Sequence, residues 1–264
     1  MKRKLKYFTR ITFVFLITLF FMLSSAYADY NTAKVVQHLG NKIPLNLKFI
    51  NSKGDTVQLK NLIDKPTVID FCYYRCVGIC TPLMVEISDV IGKVKYEPGK
   101  DYDIISISID QNETPVMAAQ KKHAMVGLIN RKIPDSAWVF LTGDSTNIYK
   151  LTDAAGFQFK RTRGGFLHKG VLIFVDKDGK IVQYLSPGYT NKGDFQILPT
   201  GFEVAVEGAQ HSRISETISS VLKTCYTFIP KGKDFWVLMI VLAAGAIVVF
   251  TVLFIIKRFN PKRS

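Results

Sequence analysis

Two uncharged, apolar segments at the ends of the chain most strongly limit what its 264 residues can fold into. The first, Ile11 to Leu23, holds 13 residues, and the second, Phe235 to Ile256, holds 22. Segments of this composition are typical of targeting signals or of membrane-spanning helices rather than of the surface of a soluble domain. About 206 residues remain between the two ends, which is enough for one domain with a sizeable core.

The N-terminal segment has the layout of a secretory signal. A basic stretch through Arg10 precedes the apolar run, and the small-residue site Ala26-Tyr27-Ala28 follows it. We predict a signal peptide over residues 1–28, cleaved after Ala28. An uncleaved anchor helix is the alternative, but thirteen helical residues span only about 20 Å, less than the hydrocarbon core of a bilayer.

The C-terminal segment predicts a transmembrane helix over residues 235–256. Trp236 lies at one edge, where an interfacial aromatic side chain belongs, and Lys257 and Arg258 close the other edge. A buried helix in a soluble core is the alternative. Because the basic tail, residues 257–264, would stay in the cytoplasm, we expect a single-pass protein of the bacterial inner membrane whose domain faces the periplasm.

The formal net charge of +14 is concentrated at the two ends. Five basic residues precede the first apolar segment and four follow the second, without an acidic residue in either place, so the middle carries +5. This moderate excess suits an acidic partner and does not predict nucleic-acid binding. With 48% hydrophobic residues and no visible repeat, the chain is also unlike disordered or solenoid proteins.

Hydrophobic spacing predicts an α/β domain over residues 43–224, between a lead-in (29–42) and a linker (225–234). A β-hairpin within 45–59 comes first, and a second hairpin and a helix come last, within 171–184 and 212–223. Three strand–helix units lie between them, with strands within 67–71, 103–110 and 138–141. This order predicts a mixed sheet sandwiched by helices.

A pair of cysteines, Cys76 and Cys80, lies in the loop between the strand at 67–71 and a helix whose start is marked by Thr81-Pro82. Unpaired amides and the helix dipole favour thiolate over thiol at such a position. A thiolate binds soft metals, Cu(I) or zinc, or attacks a disulfide. The three-residue spacer is longer than that of the usual dithiol oxidoreductase, which favours metal, and a structural disulfide is a further alternative.

Four separated blocks of the sequence resemble the Sco/SenC family of copper chaperones. They are Phe71 to Cys80, Ser106 to Asp110 with Thr114-Pro115, Phe140 to Gly143, and Phe166-Leu167-His168 followed by Val171 to Gly179. The resemblance covers about residues 45–222. It implies a thioredoxin-like fold, which would carry an added N-terminal β-hairpin and insertions here, beside the transmembrane helix.

The resemblance also implies a site and a role. Copper would be bound by Cys76, Cys80 and the distant His168, and the protein would serve assembly of the binuclear CuA centre in subunit II of cytochrome c oxidase. Mobile-looking glycines around His168 favour a swing of its ring toward the cysteine loop. Two thiolates suffice for Cu(I), and an imidazole adds the ligand that suits Cu(II).

The chain departs from the family pattern at three positions. Leu167 stands where an aspartate usually precedes the histidine, which removes a carboxylate that would orient the ring. Val77 stands where proline is frequent. Cys72 stands where the family commonly has a small residue; we expect a buried strand-end thiol, with a third thiolate ligand or a disulfide partner as alternatives.

Other polar residues near these blocks have less specific signals. Asp110 matches a recurrent family acid that could support the metal loop, with a helix-entry role as the alternative. Basic residues flank His168 and form either a solvated surface or a guide for an acidic partner: Lys160, Arg161, Arg163 and Lys169. The remaining histidines and the last cysteine lack a comparable context and are expected on the surface or in packing: His38, His123, His211 and Cys225.

The sequence therefore supports two main functions. The first is a membrane-tethered protein that binds Cu(I), Cu(II) or both and delivers copper to the CuA site, without turnover chemistry. The alternative is a thiol:disulfide oxidoreductase that uses Cys76 and Cys80 to reduce the acceptor's cysteines and has no need of His168. A third class, a structural or redox-sensing module, would tolerate loss of the Cys76 thiol except under oxidative stress.

Overall fold

The computed structural model describes residues 33–76, 78–190 and 193–214. Within these ranges no helix is both long and apolar enough to cross a membrane. The segments predicted as signal peptide, linker, transmembrane helix and basic tail lie outside the described residues, as does Cys225.

The described chain contains one large sheet, two small hairpins and helices on either face of the sheet. The strands of the large sheet are β1 (Lys48–Asn51), β2 (Thr56–Gln58), β3 (Thr67–Cys72), β4 (Asp103–Ser108), β5 (Trp138–Thr142), β8 (Leu172–Val175) and β9 (Ile181–Leu185). The hairpins are β6 (Lys160–Thr162) with β7 (Gly165–Leu167), and β10 (Gly188–Tyr189) with β11 (Phe195–Gln196). The helices are α1 (Cys80–Lys93), α2 (Pro115–Val126), α3 (Ser145–Ala154) and α4 (Pro199–Gln210).

The sheet has the order β2-β1-β5-β4-β3-β8-β9 and is parallel only at its centre. Strands β3, β4 and β5 run parallel, and the outer pairs are antiparallel. Every residue of β3 and β4 is buried, as expected for parallel strands covered on both faces. Side chains alternate between the faces, so Val68 and Cys72 lie in one core layer and Ile69 and Phe71 in the other.

Two apolar layers cover the faces of the sheet. Leu83 of α1, Ala118 of α2 and Phe202 of α4 belong to the first layer, whereas Ile148 and Leu151 of α3 belong to the second. The predicted mixed sheet between helices is therefore confirmed, and it fits the thioredoxin-like fold that the resemblance implied.

The observed starts of α1 and α2 can be compared with the starts predicted from the sequence. Thr114-Pro115 has the same helix-start pattern as Thr81-Pro82, and Thr114 does cap α2: its side chain accepts a hydrogen bond from the Met117 amide at 3.4 Å. Thr81 does not cap α1; the helix begins at Cys80, two residues before Pro82, and the Thr81 hydroxyl donates to the Cys76 carbonyl instead.

The final described helix, α4, was not predicted. It begins at Pro199 and ends at Gln210, before the stretch 212–223 where a helix was expected. Ser212 has a φ of 52°, which ends the helical path there, and residues beyond 214 lie outside the described part. Proline at the first helical position is a start signal that the sequence did contain.

The lead-in segment packs against the end of α3. Val36 donates its amide to the carbonyl of Gly156 at 2.8 Å, and Val35 pairs with Phe157 in an isolated bridge. Gly156 has a φ of +60°, and a Cβ at this position would lie 1.8 Å from the Val36 carbonyl oxygen. A glycine is therefore required here both by the backbone conformation and by the closeness of the lead-in.

We expect Gly156→Ala to lower the free energy of unfolding by about 3 kcal/mol, because the new methyl group adds a clash with backbone to the left-handed strain. Gly54→Ala is the matched control: its φ is +92°, but nothing lies within 4 Å of a Cβ there, so about 1 kcal/mol is expected. Urea unfolding of both variants measures the difference. Equal losses would contradict the packing of the lead-in on Gly156.

Candidate metal centre

Strand topology brings the distant histidine to the cysteine loop. Strand β3 ends at Cys72, and the following loop leads through Cys76 to Cys80 at the start of α1. Strand β8 pairs antiparallel with β3, with Asp70 opposite Leu172, so β8 begins at the edge of the sheet where β3 ends. His168 lies four residues before Leu172 and thus reaches the same edge.

The second cysteine and the histidine are in direct contact. Cys80 Sγ lies 3.1 Å from His168 Nε2, although 88 residues separate them in the sequence. Cys76 Sγ lies 3.5 Å from the backbone nitrogen of Cys80. The exposed fractions of Cys76, Cys80 and His168 are 5%, 1% and 5%, and both thiols are free.

The structure thus brings together the three side chains that the sequence singled out. Among the described residues, no three His, Cys, Asp or Glu side chains are already spaced to hold a metal ion. A thiol–imidazole contact is formed, and the second sulfur stands beside it at the helix start.

Backbone contacts fix which nitrogen of His168 faces the sulfur. Nδ1 lies 3.1 Å from the carbonyl oxygen of Lys169, which can only accept a hydrogen bond, so Nδ1 carries the proton. Burial lowers the pKa of His168 and keeps the ring neutral. Nε2 therefore presents a free lone pair to Cys80. The Lys169 carbonyl thus orients the ring without a carboxylate at position 167, where Leu167 stands.

The two thiols differ in their preferred protonation states. A hydrogen bond from the Cys80 thiol lowers the pKa of Cys76, and the Cys80 amide and the Tyr73 hydroxyl add to this stabilisation of the thiolate. The pKa of Cys80 is raised, first by this shared hydrogen bond and then by burial. The pair therefore holds one proton and one negative charge. The direction of the Cys76 pKa shift agrees with the predicted stabilisation of a thiolate at the helix start.

Aromatic rings enclose the histidine. Between centroids, the Tyr73 ring lies 6.1 Å and the Phe157 ring 5.8 Å from the His168 ring. Gly165, with a φ of +141°, makes room for Tyr73, because a Cβ there would lie 2.5 Å from the Tyr73 hydroxyl oxygen. This apolar enclosure excludes water and explains why the imidazole is neutral.

A carboxylate that the sequence analysis did not single out shapes the cysteine loop. Glu113 is buried and accepts hydrogen bonds from the amides of Tyr74 and Arg75, at 2.7 and 2.8 Å, and from the Ser108 hydroxyl at 2.7 Å. It therefore fixes the chain just before Cys76. The available signal was an acidic residue directly before the Thr114-Pro115 helix start, which by itself indicates only a surface charge.

Asp110 and Cys72 bind other groups and do not contact His168. Asp110 binds the guanidinium groups of Arg75 at 2.5 Å and of Arg161 at 3.1 Å. The Cys72 thiol lies in the core and donates to the Ile107 carbonyl at 3.7 Å, and burial raises its pKa. Cys72 is thus the buried strand-end thiol that the sequence analysis favoured.

The remaining histidines lie on other elements. His38 is in the lead-in, with Nδ1 at 3.1 Å from the Ala154 carbonyl. His123 is exposed in the last turn of α2, and His211 is exposed at the end of α4. They occupy the surface or packing positions that the sequence suggested.

A mixed sheet that places a Cys-x3-Cys loop and a distant histidine at one edge defines a class of α/β proteins with a thiol–imidazole site. The family model described as SCO1/SenC matches residues 37–196. The SCO1 protein homolog of Bacillus subtilis (strain 168) is 30% identical over 152 residues, which are 54% of this chain and 75% of that protein. The chain belongs to the SCO1/SenC family.

Solved structures show the same fold. A structure from Aquifex aeolicus VF5 is 24% identical, with a TM-score of 0.57 over 66% of this chain and 95% of the other. BsSco, described as a member of the Sco family of cytochrome c oxidase assembly proteins and reported with a disulfide switch, is 22% identical. Its TM-score is 0.50, over 67% of this chain and 98% of its own.

We expect Glu113→Ala to lower the free energy of unfolding by about 3 kcal/mol, because the buried Tyr74 amide and the partly buried Arg75 amide lose their acceptor and the Ser108 hydroxyl loses its shorter hydrogen bond. Glu97→Ala is the control, since the Glu97 side chain makes an exposed ion pair with Lys100, and a change within about 0.5 kcal/mol is expected. Urea unfolding decides between these outcomes. Similar losses for the two variants would contradict the role of Glu113 in the loop.

We also expect the reduced, metal-free protein to hold one thiolate at neutral pH and to lose it only under acidic conditions, because the folded site lowers the pKa of Cys76. The ultraviolet absorption of the thiolate, followed during an acid titration, measures this. Cys76→Ser should remove the signal at neutral pH. An unchanged signal in that variant, or no thiolate at neutral pH in the parent, would contradict the assignment.

Proposed function

We propose that this protein binds copper through Cys76, Cys80 and His168 and delivers it to, or matures, the CuA site of cytochrome c oxidase subunit II. The observation that carries the proposal is the 3.1 Å contact between Cys80 Sγ and His168 Nε2, with the Cys76 sulfur beside the same helix start. Family membership supports the metal and the acceptor.

The chemistry of the three donors suits copper. Two neighbouring sulfurs can bind Cu(I) in linear geometry, and a neutral imidazole supplies the borderline ligand that Cu(II) prefers. Zinc in a structural site takes four ligands, and Cys72 is the nearest further thiol in the sequence. Its buried thiol donates to the Ile107 carbonyl instead, so the described residues provide three donors rather than four.

Transfer of copper to an acceptor requires ligands that can dissociate from the metal one at a time. The Cys80 amide and the Tyr73 hydroxyl stabilise the Cys76 thiolate and do not depend on the Cys80 thiol proton, so Cys76 can release a metal ion without first gaining a proton. His168 follows a short hairpin and is held by one backbone hydrogen bond and by ring contacts. A modest difference in affinity between donor and acceptor then suffices, since about 1.4 kcal/mol shifts the distribution tenfold.

The proposal includes a membrane setting that rests on the sequence. Export by the segment 1–28 and anchoring by the segment 235–256 would leave the domain on the periplasmic side of the bacterial inner membrane, with the C-terminal tail in the cytoplasm. The apolar length of the second segment and the basic residues after it support this orientation.

A second candidate function, thiol:disulfide oxidoreductase, is favoured by the state of the two cysteines. Cys76 and Cys80 are free, and the hydrogen bond from the Cys80 thiol lowers the pKa of Cys76, which favours its thiolate form. Such a pair can attack an acceptor disulfide through the thiolate and resolve the mixed disulfide with the second thiol. Copper delivery needs His168, whereas this reaction does not.

We expect copper titration of the reduced full-length protein under anaerobic conditions to show how much each ligand contributes to copper affinity. His168→Ala should weaken Cu(II) binding by about 10- to 100-fold and Cu(I) binding less, because the imidazole is the ligand that Cu(II) prefers. Cys80→Ser should weaken both. His123→Ala, an exposed histidine on α2, is the control and should bind like the parent.

The same variants test the function in cells that depend on this protein for an active oxidase. Loss of both copper affinity and oxidase activity in His168→Ala supports delivery of the metal. Full oxidase activity with His168→Ala, or a parent protein that binds no copper, would reject delivery in favour of thiol reduction.

A further inference from the structure

We infer that Arg161 is a positioning residue, which clamps the β6–β7 hairpin onto the cysteine loop and thereby holds His168 against Cys80. The part of this inference that concerns metal affinity rests on the proposed function. The part that concerns the position of the hairpin does not.

The hairpin that precedes His168 has little support from the main sheet. Its strands contain three residues each, and they pair with one another in a separate two-stranded sheet. All three residues of β6 are exposed. An isolated two-stranded hairpin is at best marginally stable in water, so side-chain contacts must hold this one in place. His168 directly follows Leu167, the last residue of β7, so a shift of the hairpin would also move His168.

Arg161 provides an ionic contact to the other side of the site. Its Nη2 lies 3.1 Å from Asp110 Oδ1, and the second oxygen of Asp110 binds Arg75, the residue directly before Cys76. The Asp110 side chain is only 6% exposed, whereas each guanidinium is on a side chain that is 56% exposed. One buried carboxylate therefore joins the hairpin to the cysteine loop.

Arg161 also makes a cation–π contact with its cross-strand partner, Phe166. Its guanidinium lies 4.9 Å from the centroid of the Phe166 ring, which is opposite Arg161 in the hairpin register. Phe166 packs edge-on against Tyr73 at 5.4 Å, and Tyr73 packs against His168. A cation over an aromatic face is attracted to it, so the arginine favours the ring position that reaches the cysteine loop.

Neighbouring basic residues do not share these contacts. Lys160 and Arg163 are on the same hairpin and are exposed, and neither forms an ion pair with any residue of the described ranges. They carry the same charge at almost the same place and are therefore matched controls. The local stability of such a hairpin is small, so losing one clamp should shift its opening equilibrium measurably.

The first experiment needs no metal. Hydrogen exchange of the reduced full-length protein should show about tenfold faster exchange of the amides in the hairpin, residues 160–168, in Arg161→Gln. Lys160→Gln and Arg163→Gln should exchange like the parent. Arg161→Lys keeps the charge and the ring contact, so it should exchange at an intermediate rate, and it decides the matter if Arg161→Gln does not fold.

Equal exchange of the hairpin in Arg161→Gln and Arg163→Gln would overturn the clamp. Hairpin exchange at the parent's rate in both Arg161→Gln and Arg161→Lys would overturn it as well. An unfolding curve for each variant shows whether the whole domain, rather than the hairpin, has been weakened, and a purely global loss would also overturn the inference.

The second experiment measures positioning by metal affinity. Cu(II) binding should weaken about tenfold in Arg161→Gln, with a smaller effect on Cu(I), because His168 is the donor that the clamp holds. Arg163→Gln should bind like the parent. Unchanged Cu(II) affinity together with a loosened hairpin would refute positioning of His168. A parent that binds no copper would reject the proposed function, while the exchange experiment would still decide whether the clamp exists.

Discussion

The antiparallel pairing of β8 with β3 is the constraint on which the site depends. Because the two strands run in opposite directions, the end of β3 and the beginning of β8 meet at the same edge of the sheet. The loop after β3 carries the cysteines, and the residues before β8 carry the histidine. A contact between side chains 88 residues apart follows from this one register rather than from any local preference of the chain.

The contact between Cys80 and His168 can be buried because backbone groups and a carboxylate satisfy the polar groups around it. The Lys169 carbonyl fixes the proton on His168 Nδ1, and the amide of Cys80 faces the Cys76 sulfur. Glu113 satisfies the amides of the loop before Cys76. Buried polar groups without such partners would each cost free energy, so the same contacts that stabilise the loop also set the charges of the donors.

Regular elements with clear hydrophobic spacing could be predicted from the sequence, and short or exposed ones could not. The β3, β4 and β5 units and the Thr114 cap follow from apolar runs and from local capping chemistry. The β6–β7 hairpin was not identified, because its strands have only three residues each, which is too short to show an alternation of apolar and polar residues. The predicted start of α1 was two residues too late, because the Thr81 hydroxyl donates to the Cys76 carbonyl rather than capping the helix.

The sequence by itself determined the reactive pair: cysteines at a strand-to-helix junction, where helix-start amides favour a thiolate, are a local feature that spacing reveals. It also named His168, through resemblance to a family. Only the tertiary structure decided that Nε2 is the nitrogen facing Cys80, that Glu113 shapes the loop, and that Asp110 binds two arginines from different segments. Those choices depend on distances between residues far apart in the chain, which strand register sets and local sequence does not.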